Sequence, residues 1–534
     1  MAWYDEAVFY HIYPLGLLDA PKQNPYSEPV HRLRELRPWI GHIRSLGCTA
    51  LYIGPLFESV GHGYETTDYR RLDSRLGTNE DLKDFVATCH AAGLKVIFDA
   101  VFNHTGRDFF AFRDLREKRE NSPFRDWYCS VNFWGNNSYN DGFSYDNWGG
   151  YDLLAKLNQR NPAVRDYLLE TVRFWVREFD VDGLRLDAAD VLDFDFMRAL
   201  RALADTVKPE FWLMGEVIHG EYSRWVNSRT LHSVTDYALH KALYSGHNEH
   251  NYFEIAHTVN RSLRMAGGSA RSFRLYTFVD NHDVERIHTK LRDKRHFVPV
   301  HILLYTLPGV PSLYYGSEWG IEGEKHRGGS DDAIRPALRL ETMEDNACLS
   351  LIRALGAVRE RTPVMAWGEY RELLLKNRQY AFAREWGDER AIVAVNCDDS
   401  PAALCLNVPD GTYTGTLGGG ELTAANGALE ITLPPCAGEI LVPKRGGEEN
   451  ERARLDLAAA LDALRREDKK AEPAAERAAV AVPDKPFDEM SVEELQAAIL
   501  QKMAHNGPVT DDMKRTVYDN THRGSLLNWV RSFR

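Results

Sequence analysis

Eight short apolar runs alternate with amphipathic helical segments from residue 5 to about residue 360, which predicts an α/β fold. The expected architecture is a (β/α)8 TIM barrel with a subdomain inserted after strand 3, a C-terminal antiparallel β domain and a helical C-terminal tail. Two further observations support it. Residues 105 to 160 are too long and irregular for one crossover, and after residue 363 the pattern turns to alternating strands separated by turn residues.

The eight strand candidates, in order, are AVFYHIYP, CTALYIGPL, KVIFDAVFN, VDGLRLD, FWLMGEV, LHSVTDY, LYTFVDN and PSLYYG. Segments such as HRLRELRPWIGHIRSLG, NEDLKDFVATCHAAG and NPAVRDYLLETVRFWVREF supply the crossover helices. Residues 1–104 and 161–362 are therefore assigned to the barrel. Residues 105–160, which include the Asn-, Gly- and aromatic-rich SVNFWGNNSYNDGFSYDNWGGYDLLAKLN, are assigned to the inserted subdomain, one wall of the cleft. Residues 363–445 form the expected β-sandwich. Residues 446–486 read as a charged linker rich in Ala, Glu, Lys and Arg, with one marginal helix around RLDLAAALDALRRED. Residues 487–534 form the helical tail. Ser491 and Glu494 make a capping-box pattern before LQAAILQKM, and a second helix is expected after Pro508.

Composition narrows the function. The net charge of -13 argues against nucleic-acid and anionic-membrane partners and suits a neutral substrate. No stretch approaches the length of a membrane span. The opening MAWYDEAVFYHIYP lacks the basic-then-apolar pattern of a signal peptide. The seven cysteines (48, 89, 129, 348, 397, 405 and 436) are scattered, with no CxxC pair. A reduced, cytoplasmic protein is expected.

Four strand candidates run directly into ionisable residues: DAVFNH (Asp99 to His104), GLRLDAAD (Gly183 to Asp190), LMGEV (Leu213 to Val217) and TFVDNHD (Thr277 to Asp283). Burying one such end costs several kcal/mol unless it is paired or functional, and a lone one is commonly a helix cap or an ion pair. Four at the C-terminal ends of barrel strands, where such folds place their chemistry, define an active site. Retaining glycosidic cleavage needs two carboxyl groups about 5 Å apart. Asp187 and Glu216 end adjacent strands, which lie about 4.8 Å apart. Arg185, two residues before Asp187, points the same way and is expected to keep that carboxylate ionised. Glu216 follows Leu-Met-Gly, less polar surroundings that suit an acid. Asp283 with His282 offers a third carboxylate and a donor for sugar hydroxyls.

These motifs resemble all four signature regions of the α-amylase family of glycoside hydrolases, over roughly residues 5 to 443. The resemblance implies Asp187 as nucleophile, Glu216 as acid/base and Asp283 as the carboxylate that fixes substrate and stabilises the transition state. It places His104, His282 and Arg185 around the cleaved glucose, with Asp99 orienting Arg185. GHGYETTDYRRLD adds Tyr64 as a stacking platform, and GGSDDAIRP resembles a sugar-binding loop carrying Asp331 and Arg335, a pair a surface salt bridge would equally explain. LAKLN (Leu154 to Asn158) is similar to the MPKLN of neopullulanases, cyclomaltodextrinases and maltogenic amylases. Members of that group commonly carry an N-terminal β domain used for dimerisation, and their dimeric architecture is not carried over to this chain. Ala188-Ala189-Asp190 stands where endo-acting members have Ala-Lys-His, which weakens the usual calcium site, although Asn103 occupies one ligand position. No cofactor is expected to be required.

The resemblance implies hydrolysis of α-1,4 bonds in maltooligosaccharides, cyclodextrins and related α-glucans by double displacement. A transglycosylase, whether a glucanotransferase or a sucrose- or trehalose-directed enzyme, would use the same site. A non-catalytic carbohydrate-binding barrel is disfavoured because all three carboxylates are present. The charged linker and amphipathic tail raise the alternative of an interaction module, for oligomerisation or another partner, attached to the enzyme. Truncation near Gly446 is expected to change oligomeric state, stability or kinetics; three unchanged measurements would remove support for that role.

Overall fold

The computed structural model describes residues 2–272, 274–325 and 330–444, together with 459, 461–464, 466, 486–487, 490–506, 517, 526 and 529–531. Eight parallel strands carry the first part of the chain: β1 (Phe9–Ile12), β2 (Ala50–Ile53), β3 (Lys95–Ala100), β4 (Gly183–Leu186), β5 (Trp212–Gly215), β6 (Ser233–Val234), β7 (Tyr276–Phe278) and β8 (Val310–Tyr314). Seven fall within the runs read from the sequence, and β8 begins one residue before PSLYYG. They pair in the order β6-β5-β4-β3-β2-β1-β8-β7. A parallel bridge between Thr235 and Tyr276 joins the two edges, and the Asp236 N–H donates to the Tyr276 carbonyl at 2.8 Å. The sheet is thereby closed into a barrel.

Helices α1 (Arg37–Ser45), α2 (Asn79–Ala91), α3 (Pro162–Phe179), α4 (Phe194–Val207), α5 (Tyr237–Asn248), α6 (Tyr252–Met265), α7 (Phe297–Thr306) and α8 (Ala347–Arg361) supply the crossovers. Local chemistry starts several of them. Thr78 and Asp81 form a capping box at α2, and Asn161 caps α3 ahead of Pro162, whose fixed φ suits the first helical turn. One unit departs from the expected eightfold alternation. Between β5 and β6 there is only a short 3-10 turn, Tyr222–Arg224, whereas two helices lie between β6 and β7. The sequence HGEYSRWVNSRT lacks the apolar spacing of a helix face, and buried Tyr222 and Trp225 cover that part of the barrel instead.

Strand alternation fills the barrel. Phe9, Ala50, Ile97, Trp212, Tyr276 and Val310 belong to one buried interior cluster, in which Phe9 stacks on Trp212 at 5.1 Å. Gly183 lets the two neighbouring strands approach: a Cβ there would lie 2.5 Å from the Trp212 carbonyl oxygen. Two residues further up, the inward positions change from apolar to ionisable, as Ile97 gives way to Asp99 and Gly183 to Arg185.

The inserted stretch contains helix Phe110–Lys118 and a three-stranded sheet of His104–Thr105, Asn147–Trp148 and Tyr151–Lys156. His104 pairs with Lys156, and the Leu157 N–H donates to the Asn103 carbonyl at 2.9 Å. The LAKLN segment is thus laid against the residues that end the third barrel motif.

Beyond α8 lie β9 (Glu369–Leu375), β10 (Gln379–Trp386), β11 (Glu389–Asn396), β12 (Ala402–Asn407), β13 (Gly411–Gly415), β14 (Glu421–Ala424), β15 (Ala428–Leu433) and β16 (Ala437–Pro443). Six make an antiparallel sheet in the order β9-β10-β11-β16-β13-β14, while β12 and β15 pair separately, around an apolar core that includes Ile392, Leu404, Leu429 and Leu441.

The chain divides into two compact units, Met1–Arg465 and Arg466–Arg534, so the division falls inside the stretch read as a linker. Most of 446–486 lies outside the described residues. Of the helix expected around 454–468, residues 459, 461–464 and 466 are described, all helical. In the second unit helix Val492–Asn506 carries the capping box: the Ser491 N–H donates to Glu494 at 2.6 Å and the Glu494 N–H to the Ser491 hydroxyl at 3.2 Å. Met490, Leu495, Ile499, Val517, Leu526 and Val530 form its apolar cluster. The helix expected after Pro508 is described at 517, 526 and 529–531, all helical, and otherwise lies outside the described residues.

Packing of α8 against the end of α1 is tight. A Cβ on Gly356 would lie 1.9 Å from the Leu46 carbonyl oxygen. Gly356→Ala is therefore expected to destabilise the protein by about 1–3 kcal/mol or more, as overpacking does. Thermal unfolding of the variant checks it, and an unchanged melting temperature would contradict this packing.

Candidate active site

Register brings the two central carboxylates together. Arg185 pairs with Met214 and Leu186 with Gly215, so Asp187 and Glu216 each stand one residue beyond neighbouring strand ends. Both are held by one side chain. Arg185 Nη1 donates to Asp187 Oδ1 at 2.8 Å, and Nη2 lies 2.8 Å from Glu216 Oε2. Arg185 Nη1 also reaches Asp99 at 2.9 Å, its register partner on β3. One buried guanidinium thus serves three carboxylates. Ala188, in left-handed backbone at φ +47°, turns its N–H onto Glu216 Oε2 at 3.1 Å.

A closed ring of contacts joins the remaining candidates. The Tyr64 hydroxyl donates to Asp99 at 3.0 Å and lies against Nε2 of His282, which is 2.9 Å from Asp283. The Asp283 N–H donates to Asn281 Oδ1 at 2.8 Å, Asn281 Nδ2 donates to the Tyr237 hydroxyl at 3.2 Å, and that hydroxyl donates to Glu216 Oε1 at 3.2 Å. Arg335 closes on Asp283 from outside: Nη2 donates to Oδ1 at 2.8 Å and Nε to the His282 carbonyl at 2.8 Å. Asp331 holds the same guanidinium at 3.0 Å. His104 sits at the edge of this group, its Nε2 bonded to the Tyr64 carbonyl at 3.1 Å. The structure thus brings together Asp99, Asp187, Glu216, Asp283, Tyr64, His104, Arg185, His282, Asp331 and Arg335.

Electrostatics separates the carboxylates. Burial, with the charges of Glu216 and Asp99 beside it, pushes Asp187 well above the usual carboxylate range, against the pull of Arg185. The sequence leads one to expect that Arg185 keeps that carboxylate ionised; its pull is present but outweighed by burial. A single cation divided among three carboxylates leaves two uncompensated charges, so Arg185 does not offset the burial of Asp187. Asp283 goes the other way. Burial raises it, but His282, Arg335 and Arg185 together hold it well below the ordinary value. Burial lowers His104 to about 3, leaving a neutral imidazole at physiological pH.

Four participants were not singled out from the sequence. Tyr52 donates to Asp99 at 2.8 Å, Tyr237 and Asn281 lead to Glu216, and Tyr13 stacks parallel to His282 at 5.9 Å. Asn281 lies inside a quoted motif, Tyr52 and Tyr13 lie in or just after barrel strands, and Tyr237 opens α5 at the end of the run LHSVTDY, so position near a strand end was the available signal. Asn103 was noted only as a calcium ligand. Its Oδ1 is buried without a hydrogen-bond partner, but no cluster of three His, Cys, Asp or Glu groups surrounds it among the described residues. One unpartnered amide oxygen does not make a calcium cage, which takes 6–8 oxygen ligands.

Fold and site together define a carbohydrate-active barrel enzyme with its carboxylates at the C-terminal strand ends. The α-amylase catalytic-domain family matches residues 38–373, and the chain belongs to that family, as a glycoside hydrolase. Cyclomaltodextrinase of Thermoanaerobacter pseudethanolicus is 28% identical over 77% of this chain and 73% of its own length. Neopullulanase 2 of Thermoactinomyces vulgaris is 29% identical, over 82% and 78%. Among solved structures, the native debranching enzyme of Nostoc punctiforme superposes with a TM-score of 0.73 at 27% identity, over 82% of this chain and 98% of that one. Among the described residues, no helix is long and apolar enough to cross a membrane.

The raised Asp187 carboxyl has a thermodynamic consequence. A group whose folded pKa exceeds its unfolded one stabilises the fold at low pH, and that contribution is lost as pH rises through the folded value. Asp187→Asn, neutral throughout, is therefore expected to gain stability relative to the parent as pH rises from about 4 to about 8. Melting temperatures of both proteins across that range check it; a constant difference would mean the carboxyl is not raised.

Proposed function

We infer that this glycoside hydrolase retains anomeric configuration and cleaves α-1,4-glucosidic bonds in maltooligosaccharides, cyclodextrins and related α-glucans. The observation that carries the reading is the pair Asp187 and Glu216, side by side in register and bound to the same Arg185. Two carboxyls on adjacent strands suit double displacement, which needs them about 5–5.5 Å apart. In the reactive form Asp187 is the carboxylate and Glu216 the acid: Asp187 attacks C1, forming a glycosyl ester as the C1–O bond breaks, and Glu216 gives its proton to the leaving oxygen. Water then attacks C1 of the ester while Glu216 takes a proton from it, releasing the sugar and restoring both groups.

The surrounding residues have distinct work in this reading. Asp283, held ionised by His282 and Arg335, accepts hydrogen bonds from sugar hydroxyls and offsets the positive charge developing at the ring. Tyr64, His104, His282 and Arg185 line the glucose subsite. Asp331 keeps Arg335 on Asp283, and Asp99 keeps Arg185 between the two reacting carboxyls. Relatives named cyclomaltodextrinase, neopullulanase and maltogenic α-amylase support small or cyclic substrates, and an intracellular maltogenic amylase of Bacillus subtilis among them supports a cytoplasmic setting. The resemblance to a cyclomaltodextrin glucanotransferase keeps transfer to a sugar acceptor as the competing outcome.

Product analysis on maltotriose, β-cyclodextrin, pullulan and soluble starch tests the reading, with Asp187→Asn as the blank. Faster cleavage of the small and cyclic substrates than of starch is expected. Products longer than the starting sugar would make the enzyme a transferase. Glu216→Gln is expected to lose about 10²–10⁴-fold on natural substrates and much less on activated aryl glycosides, whose leaving groups need little protonation. Equal losses on both would remove Glu216 from the acid role.

A further inference from the structure

Away from the active site, where the barrel meets the C-terminal sheets, Asp293, His296 and Cys436 converge. Each offers one donor atom, and these atoms lie within 4.8 Å of one another. Asp293 and His296 belong to the turn that starts α7, whereas Cys436 lies just before β16. His296 and Cys436 are buried, and Cys436 Sγ lies 3.8 Å from Asp293 Oδ2.

His296 carries the independent observation. Its Nε2 donates to the Cys397 carbonyl at 3.2 Å, and its Nδ1 is buried with no hydrogen-bond partner. With the proton fixed on Nε2 by a backbone carbonyl, the lone pair stands on Nδ1. That is the arrangement by which proteins orient a histidine toward a metal. An unsatisfied buried nitrogen otherwise carries an uncompensated desolvation cost. Cys436 adopts φ +51°, a strained backbone for a residue with a side chain, which a ligand role would offset.

We propose that Asp293, His296 and Cys436 form a zinc site with one carboxylate, one imidazole and one thiolate ligand, leaving the fourth position to water. The mixed oxygen, nitrogen and sulfur set suits zinc rather than calcium or magnesium, which take oxygen ligands. Ligand atoms around tetrahedral zinc stand about 3.3–3.8 Å apart, so the cluster must contract modestly as the ion enters. Charge balances: carboxylate and thiolate neutralise the dication, and the thiol proton is released to solvent. Arg295, paired with Asp293, is the competing cation, and it also holds Asp399, which keeps it neutralised when Asp293 turns to the metal. The site would fasten the start of α7 to the entry of β16.

Cobalt(II) titration of the reduced full-length protein tests this, because cobalt replaces zinc and reports a thiolate ligand by a near-ultraviolet charge-transfer band. One equivalent is expected to produce the band in the parent and in Cys405→Ser, whose cysteine is exposed. Cys436→Ser and His296→Gln should lose it with unchanged circular dichroism, and zinc should raise the melting temperature of the parent but of neither variant. Should Cys436→Ser fail to fold, His296→Gln decides. No band in the parent, or a band that survives both substitutions, would overturn the site, and neither result bears on the glycosidase reading.

Discussion

Arg185 is the point on which the site depends. Its guanidinium is buried at the top of the barrel and shared among Asp99, Asp187 and Glu216. A buried carboxylate without a partner is expensive, and three of them around an empty space would drive one another to protonation. One planar, permanently charged fork supplies several donors in fixed directions, which lysine could not do. It therefore sets where the two central carboxyls stand and how much positive charge each one faces. Asp99 anchors the fork on the β3 side, and the hydroxyls of Tyr52 and Tyr64 anchor Asp99 in turn.

Around this centre the barrel gives each side chain a direction. The alternation that packs Phe9, Ile97 and Trp212 inside the barrel also aims Asp99, Arg185 and Glu216 at its mouth. Fold and site are consequences of one periodicity. Asp283 belongs to the same ring yet has the opposite electrostatic character, because His282 and Arg335 both approach it and Arg335 is divided between only two carboxylates, Asp283 and Asp331. Carboxyl groups within one hydrogen-bonded circuit are thus given different tasks by their neighbours alone.

Much of this was legible in the sequence, and for a definite reason. An apolar strand ending in an ionisable residue is conspicuous, and Asp99, Asp187, Glu216 and Asp283 all stand at such ends. Tyr237 escaped notice because its strand ends in an aromatic residue, whose ordinary role is packing. The missing fifth helix went unread because strand spacing was regular even where the intervening segment lacked a helical face. Proton sharing was equally hidden: sequence shows a cation near a carboxylate but not how many carboxylates that cation serves. Contacts such as Arg335 on Asp283, 52 positions apart, arise only when the barrel closes.

The strand partnership between the insert and the third barrel motif also constrains how this protein can vary. His104–Thr105 is hydrogen-bonded to Tyr151–Lys156, so the insert and the rim of the candidate site are a single piece of sheet. A residue gained or lost within 151–156 would slip the register and turn alternate side chains to the opposite face. The hairpin around Asn132 and Ser144 has its own bridge, yet its Ser138 donates through both N–H and hydroxyl to Asp152 of the same strand at 2.7 Å. Length changes in the hairpin are therefore transmitted to the strand through one carboxylate, and from the strand to His104: the insert and the barrel rim must vary in step.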